Sequence, residues 1–203
     1  MSVRIKICGV TRVEDAKLAI ALGADMIGLN FYPPSPRSIT PERAIEIRGA
    51  IGRRCQVVGV FVNATREYIG ERLRQLALDL LQFHGDEDEG ALAGWPVKVI
   101  RALRMRAETP AEMIARTAAD YVLLDTFHPE LFGGTGRARP LAGLENLDLS
   151  RVFISGGLTP DNVAEAAALQ PYAVDVASGV EAAPGIKDPS KLRSFIANAK
   201  SAR

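Results

Sequence analysis

The chain has 203 residues, of which 47% are hydrophobic and 24% are charged, as is typical of a globular domain. The 25 Lys and Arg residues nearly balance the 24 Asp and Glu residues, so the formal net charge is only +1. Such a balance gives no long-range attraction to nucleic acid or to an anionic membrane. The length is sufficient to bury a sizeable core, so neither a disulfide nor a structural metal is needed for stability.

Cysteine and histidine are too few and too widely spaced to indicate a disulfide framework or a metal cluster. There are two cysteines, Cys8 and Cys55, and two histidines, His84 and His128, with no short ligand spacing among them. The first residues are too charged for a signal peptide, and no apolar run approaches the ~20 residues that span a bilayer. We therefore expect a reduced, cytoplasmic protein with no metal, no membrane and no nucleic-acid partner.

Eight short apolar runs alternate with helical segments along the chain. They are nearly continuous in apolar residues, which is typical of parallel strands covered by helices. The predicted strands are Val3–Cys8, Met26–Asn30, Gln56–Phe61, Asp79–Phe83, Val97–Ala102, Tyr121–Asp125, Val152–Ser155 and Ala173–Ala177. Parallel strands need crossover connections, which the helical segments supply. The pattern predicts an α/β protein, a (β/α)8 TIM barrel formed by a single domain over residues 1–203.

An open, doubly wound sheet is the structural alternative to the barrel. Its usual sign is a G-x-G-x-x-G turn after the first strand, and the sequence has Cys8-Gly9-Val10-Thr11 there instead. Helix starts are predicted where a side-chain oxygen can cap the first turn. Thr11 has capping-box spacing to Glu14. A proline directly follows the other predicted capping residues, which are Thr40, Thr109, Thr159 and Asp188.

Reactive groups of a TIM barrel collect at the carboxyl ends of its strands. Cys8 ends the first strand, where a thiolate can act as a base or nucleophile, although buried cysteines more often serve as small hydrophobes. Asp125 ends the sixth strand, and its alternative role is to cap or pair with the loop that follows. A thiol and a carboxylate on opposite sides of the mouth suit a general base and a general acid.

Glycine-rich turns follow the last two strands. Ser155-Gly156-Gly157-Leu158 comes after the seventh and Ser178-Gly179-Val180-Glu181 after the eighth. Glycine lets backbone N–H groups approach an anion closely, and these are the loops in which such barrels often bind phosphate. The alternative is two tight turns that only need positive φ. Because both turns fall at the expected strand ends, phosphate binding is the favoured interpretation.

Two side chains and one long loop at the predicted rim are further candidates for contacting or covering a substrate. Arg37 lies in a loop stiffened by three prolines, so it loses little entropy when it pairs with a carboxylate. His84 either binds substrate or bonds to a neighbouring backbone group. The segment Thr126–Pro140 exceeds the usual βα loop length and is interpreted as a mobile cover. Solvated surface charge is predicted for Glu87, Glu89, Arg104 and Arg106.

Taken in order, these segments resemble the phosphoribosylanthranilate isomerase family. The similarity runs from the first strand to the last and covers essentially the whole chain. The segments that carry it are Lys6-Ile7-Cys8-Gly9, Asn30-Phe31-Tyr32-Pro33, Ser35-Pro36-Arg37, Gln82-Phe83-His84-Gly85, Leu124-Asp125-Thr126, Gly133-Gly134-Thr135-Gly136, Ser155-Gly156-Gly157-Leu158, Asp175, Ser178-Gly179-Val180-Glu181 and Pro184-Gly185 with Lys187-Asp188.

The resemblance implies a cofactor-independent Amadori rearrangement of an aminoaldose to an aminoketose in tryptophan synthesis. It implies that Asp125 is the general acid that opens the furanose ring, and that Cys8 is the general base that removes the proton from sugar carbon 2. It implies that Arg37 holds the anthranilate carboxylate. The phosphate would lie on the amides around Gly156, Gly157, Ser178 and Gly179, and the remaining substrate-binding residues would be His84 and Asp175.

Two other functions stay open at this point. The first is the aminoaldose isomerase of histidine synthesis, in which the acid–base pair is usually two aspartates and which Cys8 therefore disfavours. The second is a non-catalytic barrel that binds a sugar phosphate as a sensor. Each function predicts a small-molecule ligand, and each is compatible with a monomer or a homodimer.

Overall fold

A computed structural model describes residues 3–104, 110–125 and 143–202 of the chain. Eight parallel strands form a closed barrel in which each strand pairs with the next and the eighth pairs with the first. The strands are β1 (Arg4–Ile7), β2 (Met26–Asn30), β3 (Gln56–Phe61), β4 (Leu80–Phe83), β5 (Lys98–Arg104), β6 (Tyr121–Asp125), β7 (Val152–Ile154) and β8 (Ala173–Val176). The predicted TIM barrel is confirmed.

Helices connect the strands and cover the barrel. Those in the described part of the chain are α1 (Val13–Leu22), α2 (Pro41–Ile51), α3 (Arg66–Leu76), α4 (Glu89–Leu92), α5 (Pro110–Arg116), α6 (Val163–Ala168) and α7 (Pro189–Ser201). Between β8 and α7 lie a 3₁₀ turn at Ser178–Val180 and a small antiparallel hairpin of β9 (Glu181–Ala183) and β10 (Ile186–Lys187). The predicted cap at Thr109 and the predicted cover Thr126–Pro140 lie outside the described residues.

Two of the predicted helix caps are confirmed. The Thr40 side chain accepts a hydrogen bond from the backbone N–H of Arg43 at the start of α2. The Asp188 carboxylate accepts hydrogen bonds from the N–H groups of Ser190 and Lys191 at the start of α7. In both helices the proline takes the first position, where its missing N–H leaves no hydrogen bond unmade.

Two other predicted caps are wrong, because each threonine has a different partner. Helix α1 starts at Val13, and the Thr11 hydroxyl donates to the backbone oxygen of Gly185, 2.6 Å away in the β9–β10 hairpin. Helix α6 starts only at Val163. Thr159 instead accepts a hydrogen bond from the N–H of Asp161 in a turn before the helix. A local capping pattern carries no information about a tertiary contact such as the one made by Thr11.

Side-chain alternation decides what fills the barrel. Successive residues of a strand point to opposite faces, so every second residue faces the interior. The lower interior is an apolar and aromatic cluster that includes Leu80, Leu123 and Ala173. Two residues further along the same strands come Gln82, Asp125 and Asp175, all closer to the carboxyl rim. The barrel therefore has an apolar floor and a polar mouth, and the larger core lies between the barrel and its helices.

Candidate active site

Cys8 follows the last residue of β1 at the carboxyl rim. Its backbone N–H donates to the carbonyl of Val176 at 2.8 Å, which fixes the residue to the end of β8. The residue is partly exposed, whereas Cys55 is buried. Burial of the sulfur raises the pKa of the Cys8 thiol and outweighs the opposing effect of the Lys6 charge. Burial likewise raises the pKa of Cys55, to about 11.

A buried ion pair lies on the inward faces of β1 and β8. The Lys6 ammonium is 2.7 Å from Oδ1 of Asp175, and these two residues are paired in the strand register. The Ser155 hydroxyl donates to Oδ2 of the same carboxylate at 3.0 Å. Burial opposes the charge of Lys6, but Asp175 and the Cys8 side chain together more than compensate, so the pKa of Lys6 is raised. Asp175 is thus held by its own chain in this structure.

A histidine faces the carboxylate that ends β6. Nε2 of His84 lies 3.3 Å from Oδ2 of Asp125, and Nδ1 lies 3.0 Å from the amide nitrogen of Gln82. One ring nitrogen of His84 therefore faces the Gln82 amide and the other faces the Asp125 carboxylate, and which of them donates depends on the tautomer. Gln82 is almost fully buried inside the barrel. His84 therefore contacts a side chain of the rim, a possibility that the sequence did not suggest.

Arg37 is paired with a carboxylate of its own chain. Its Nε and Nη2 atoms form a fork on Glu181, with distances of 2.9 Å to Oε1 and 2.7 Å to Oε2. Lys187 donates to the same carboxylate at 2.9 Å. Burial raises the pKa of Glu181, but hydrogen bonds from Arg37 and the charge of Lys187 outweigh it and hold the pKa below its usual range. Burial also lowers the pKa of Lys187 despite the partner charge.

Glu87 is not solvated surface charge, and that prediction is wrong. Its side chain is only 5% exposed and lies 3.0 Å from Nη1 of Arg101. It also accepts hydrogen bonds from the backbone N–H groups of Asn63 and Gly85. The carboxylate connects the loops after β3 and β4 to the middle of β5, which is why it is buried although it lies in a loop.

The two glycine-rich turns lie side by side at the rim. Gly156 and Gly157 both have positive φ, at 83° and 69°. Gly179 does not, but a Cβ atom at this position would overlap the carbonyl oxygen of Leu158. The turn after β8 thus packs against the turn after β7. These features fit the tight-turn interpretation and equally place backbone groups where an anion can approach them.

The rim combines residues that the sequence singled out with partners that it did not. Cys8, Asp125, His84, Arg37 and both glycine turns lie at the ends that the strand pattern predicted. Sequence reasoning assigned no role to four charged or polar partners, Lys6, Gln82, Glu181 and Lys187. Lys6 and Gln82 could have been found from the sequence, because each is a polar residue that interrupts an apolar strand. Each also lies two residues from a candidate residue, so the two side chains face the same side of the barrel wall. For Glu181 and Lys187 the sequence offers no such signal.

Among residues 3–104, 110–125 and 143–202, no group of three or more His, Cys, Asp or Glu side chains is arranged to hold a metal ion. Within the same ranges, no helix is both long and apolar enough to cross a membrane.

A closed parallel barrel with an acid, a thiol and anion-accessible turns at its carboxyl rim defines the chain as a TIM-barrel enzyme. Comparison with known proteins specifies the family. The family model described as N-(5'-phosphoribosyl)anthranilate (PRA) isomerase matches residues 5–198. The chain belongs to this family, and the prediction of a phosphoribosylanthranilate isomerase of tryptophan biosynthesis is confirmed.

Individual relatives agree with this assignment over nearly their full length. N-(5'-phosphoribosyl)anthranilate isomerase of Pseudomonas fluorescens (strain Pf0-1) is 48% identical over 198 residues, which cover 96% of this chain and 97% of the relative. Phosphoribosyl anthranilate isomerase from Thermus thermophilus superposes with a TM-score of 0.87 at 41% identity, covering 98% of this chain and 100% of that one. A third such isomerase, solved with reduced 1-(o-carboxyphenylamino)-1-deoxyribulose 5-phosphate, has a TM-score of 0.80 at 36% identity, covering 98% of this chain and 99% of that one.

Proposed function

We propose that Cys8 and Asp125 divide between them the proton transfers that convert N-(5'-phosphoribosyl)anthranilate to 1-(2-carboxyphenylamino)-1-deoxyribulose 5-phosphate. The observation that carries this proposal is the placement of one thiol and one carboxylate at the same barrel mouth, the carboxylate 3.3 Å from the imidazole of His84. We also take residues 1–203 to act as one catalytic domain, in the cytoplasm, on this small molecule.

The first step is ring opening, for which Asp125 supplies a proton to the furanose ring oxygen. The bond between this oxygen and sugar carbon 1 breaks, and the anthranilate nitrogen donates its lone pair to form a protonated imine. Asp125 must hold a proton before the step, and His84, 3.3 Å away, is the adjacent base that can share it. Oε1 of Gln82 has no hydrogen-bond partner among the described residues. Rotation of this amide would let Gln82 pair with a protonated imidazole as well as with a neutral one.

The second step is removal of the proton from sugar carbon 2 by the Cys8 thiolate. The electrons of the broken C–H bond form a double bond between carbons 1 and 2 and neutralise the imine nitrogen, giving an enolamine. This intermediate tautomerises to the ketone by moving the proton of its enol oxygen to carbon 1. Cys8 then releases its proton to solvent and Asp125 takes one up, so that both residues return to their starting states. Carbon 2 is oxidised and carbon 1 is reduced within the same molecule, and each transfer needs only a proton donor or acceptor, so the scheme requires no external oxidant, reductant or cofactor.

Two anionic groups of the substrate need binding partners. We assign the carboxylate to Arg37 and the phosphate to the backbone N–H groups around Gly156, Gly157, Ser178 and Gly179. The compound bound to the related isomerase carries both groups, which supports a site of this kind. His84 and Asp175 would contact the reacting sugar between them, since both lie on inward faces of the barrel.

Turnover of phosphoribosylanthranilate by the purified protein tests the proposal directly, because anthranilate-type fluorescence disappears on conversion. We expect turnover without added metal or nucleotide. Cys8→Ser and Asp125→Asn should each lower kcat by about 100-fold or more while binding of a product analogue changes little, since both residues act in proton transfer. Cys55→Ser, at the buried second cysteine, is the matched control and should behave as wild type. Near wild-type kcat in either rim variant would remove that residue from its role.

A further inference from the structure

Lys6 is a charged residue in an unusual place. It is 0% exposed and ranks among the largest fully buried side chains of the described residues, although lysines are almost never buried without a reason. Transfer of an ammonium group out of water is costly unless it is paired. Asp175 pairs with it, but the scheme above gives Lys6 itself no part in the reaction. A structural role alone would be served equally well by two apolar residues of similar volume.

The position of Lys6 relative to Cys8 suggests what the charge is for. The two residues are separated by one position on β1, so both face the barrel interior and Lys6 lies one step below the sulfur. Burial has the larger effect on the pKa of the Cys8 thiol, and the charge of Lys6 is the largest effect that opposes it. On the β2 side the sulfur has little space, since a Cβ atom on Gly28 would lie only 2.8 Å from Sγ. The thiol is therefore confined beside the ammonium.

Other charged groups face Cys8 from the neighbouring elements. The ammonium of Lys187, on β10, donates to the backbone oxygen of Cys8 at 2.7 Å, but Glu181 lies 2.9 Å from the same ammonium. The guanidinium of Arg37 is likewise paired with Glu181. The His84–Asp125 pair lies at the ends of other strands of the same rim. Lys6 differs from these groups because it lies two residues before Cys8 in the chain and faces the barrel interior on the same strand.

We propose that Lys6 is a positioning residue whose ammonium is the counter-ion of the Cys8 thiolate, and that Asp175 controls how much of that charge the sulfur receives. This inference rests on the proposed function only in taking Cys8 as the base. Asp175 and the Cys8 side chain both favour the protonated form of Lys6 inside the barrel. The Ser155 hydrogen bond to the other carboxylate oxygen stabilises the Asp175 anion without drawing the ammonium away from the sulfur.

Opposite effects at the two ends of the ion pair distinguish this role from a merely structural one. Lys6→Met removes the counter-ion, and the Cys8 thiol should then ionise only at higher pH. Asp175→Asn leaves the ammonium with the sulfur as its remaining anionic partner, and the thiol should then ionise at lower pH. If the pair only held the barrel together, both variants would disturb Cys8 in the same direction.

The experiment is a thiol titration without substrate, in a Cys55→Ser background that leaves Cys8 as the single cysteine. The rate of alkylation by iodoacetamide is measured against pH, because the thiolate is the reacting form. At neutral pH we expect Lys6→Met to react about tenfold more slowly than the background protein and Asp175→Asn several-fold faster, a tenfold change being one pKa unit. Lys98→Met is the control, since Lys98 donates to Tyr121 on the barrel floor.

Several results would overturn the inference. An unchanged titration in Lys6→Met, or a shift of both variants in the same direction, removes the counter-ion role. If Lys6→Met does not fold, as judged by circular dichroism, the sign of the Asp175→Asn shift decides alone. No substrate is used, so this outcome is independent of whether the protein turns over phosphoribosylanthranilate. For an active enzyme, the limb of the kcat/KM profile that reports the base should move with the titration of Cys8 in each variant.

Discussion

At the scale of single residues, Arg37, to which we assign the substrate carboxylate, is oriented by contacts within its own chain. Glu181 holds Nε and Nη2, while Nη1 has no hydrogen-bond partner among the described residues. The guanidinium plane is fixed by this fork, so only a small part of the side-chain entropy remains to be lost on binding. A substrate carboxylate can approach the Nη1 edge without displacing Glu181.

Arg37→Ala should therefore raise KM much more than it lowers kcat, since it removes binding of a group remote from the reacting carbons. We expect KM to rise about 10- to 100-fold, because this corresponds to the loss of one charge-assisted hydrogen-bonded pair. Arg37→Lys should restore little, because a single ammonium cannot hold Glu181 and a second carboxylate in one plane. Arg12→Ala is the control, since Arg12 is an exposed arginine that pairs with Glu14. Steady-state kinetics check this, and an unchanged KM in Arg37→Ala would contradict the carboxylate assignment.

At the scale of elements, the turns after β7 and β8 form one unit. Gly179 has no positive φ, so its backbone conformation does not require glycine. A Cβ atom there, however, would overlap the carbonyl oxygen of Leu158 in the neighbouring turn. Any side chain at this position must push the two turns apart. The proposed phosphate site needs N–H groups from both turns at once, so its geometry depends on this contact.

Gly179→Ala should consequently weaken substrate binding and stability together. We expect KM to rise at least about tenfold and the free energy of unfolding to fall by about 1–3 kcal/mol, as is usual for overpacking. Gly49→Ala is the matched control, because Gly49 lies in α2 and a Cβ atom there meets nothing within 4 Å. It should leave KM unchanged and stabilise the protein by about 0.5–1 kcal/mol. Urea unfolding measures the change in stability, and inhibition by inorganic phosphate measures binding at the proposed phosphate site. A Gly179→Ala protein that binds normally would show that this turn is not part of the site.

The strands were predictable from the sequence because their signal is local. Three of the eight, β2, β3 and β6, have the predicted bounds, and the other five differ from prediction by one or two residues at one or both ends. Burial on both faces makes each strand an apolar run, and the run ends where the strand ends. Capping was less predictable, since a threonine hydroxyl bonds to whichever group the fold brings closest, as Thr11 does with Gly185.

The candidate site was predictable in position but not in its pairings. Strand ends identify the rim, so Cys8 and Asp125 follow from the order of elements alone. What each side chain contacts depends on residues far away in the chain: Arg37 pairs with Glu181, 144 residues later, and Lys6 with Asp175, 169 residues later. These distances are set only when the barrel closes. A prediction from the sequence therefore could not include the pairing of Arg37 with Glu181 or assign a role to Lys6.

At the scale of the whole molecule, the two ends of the chain meet where the barrel closes. Strand β1 pairs with β8, and the β9–β10 hairpin then folds over the same seam. Lys187 connects the hairpin to both strands, donating to the backbone oxygens of Cys8 at 2.7 Å and of Ala177 at 3.0 Å. Its own N–H donates to Asp15 in α1. The Glu181–Lys187 pair thus holds together parts of the structure that are distant in sequence.

The pH dependence of stability should reflect this pair. The pKa of Glu181 is lower in the folded protein than its ordinary value, despite burial, because Arg37 and Lys187 favour the carboxylate. A group with a lowered folded pKa contributes stability above its ordinary pKa and loses it as the pH falls towards the folded pKa. Acid should therefore weaken the seam, and this contribution should be absent when position 181 cannot ionise.

Glu181→Gln should lower the free energy of unfolding at neutral pH by about 3–5 kcal/mol, because it leaves Lys187 as a buried charge without its carboxylate. The double variant Glu181→Gln/Lys187→Met should recover much of this loss, since neither charge then remains buried there. Urea unfolding of the wild type, both single variants and the double variant completes the cycle. Repeated at decreasing pH, the difference between wild type and Glu181→Gln should shrink as the wild-type carboxylate becomes protonated. A difference that is independent of pH, or a double variant as unstable as the sum of the singles, would show that the seam is held by packing rather than by this ion pair.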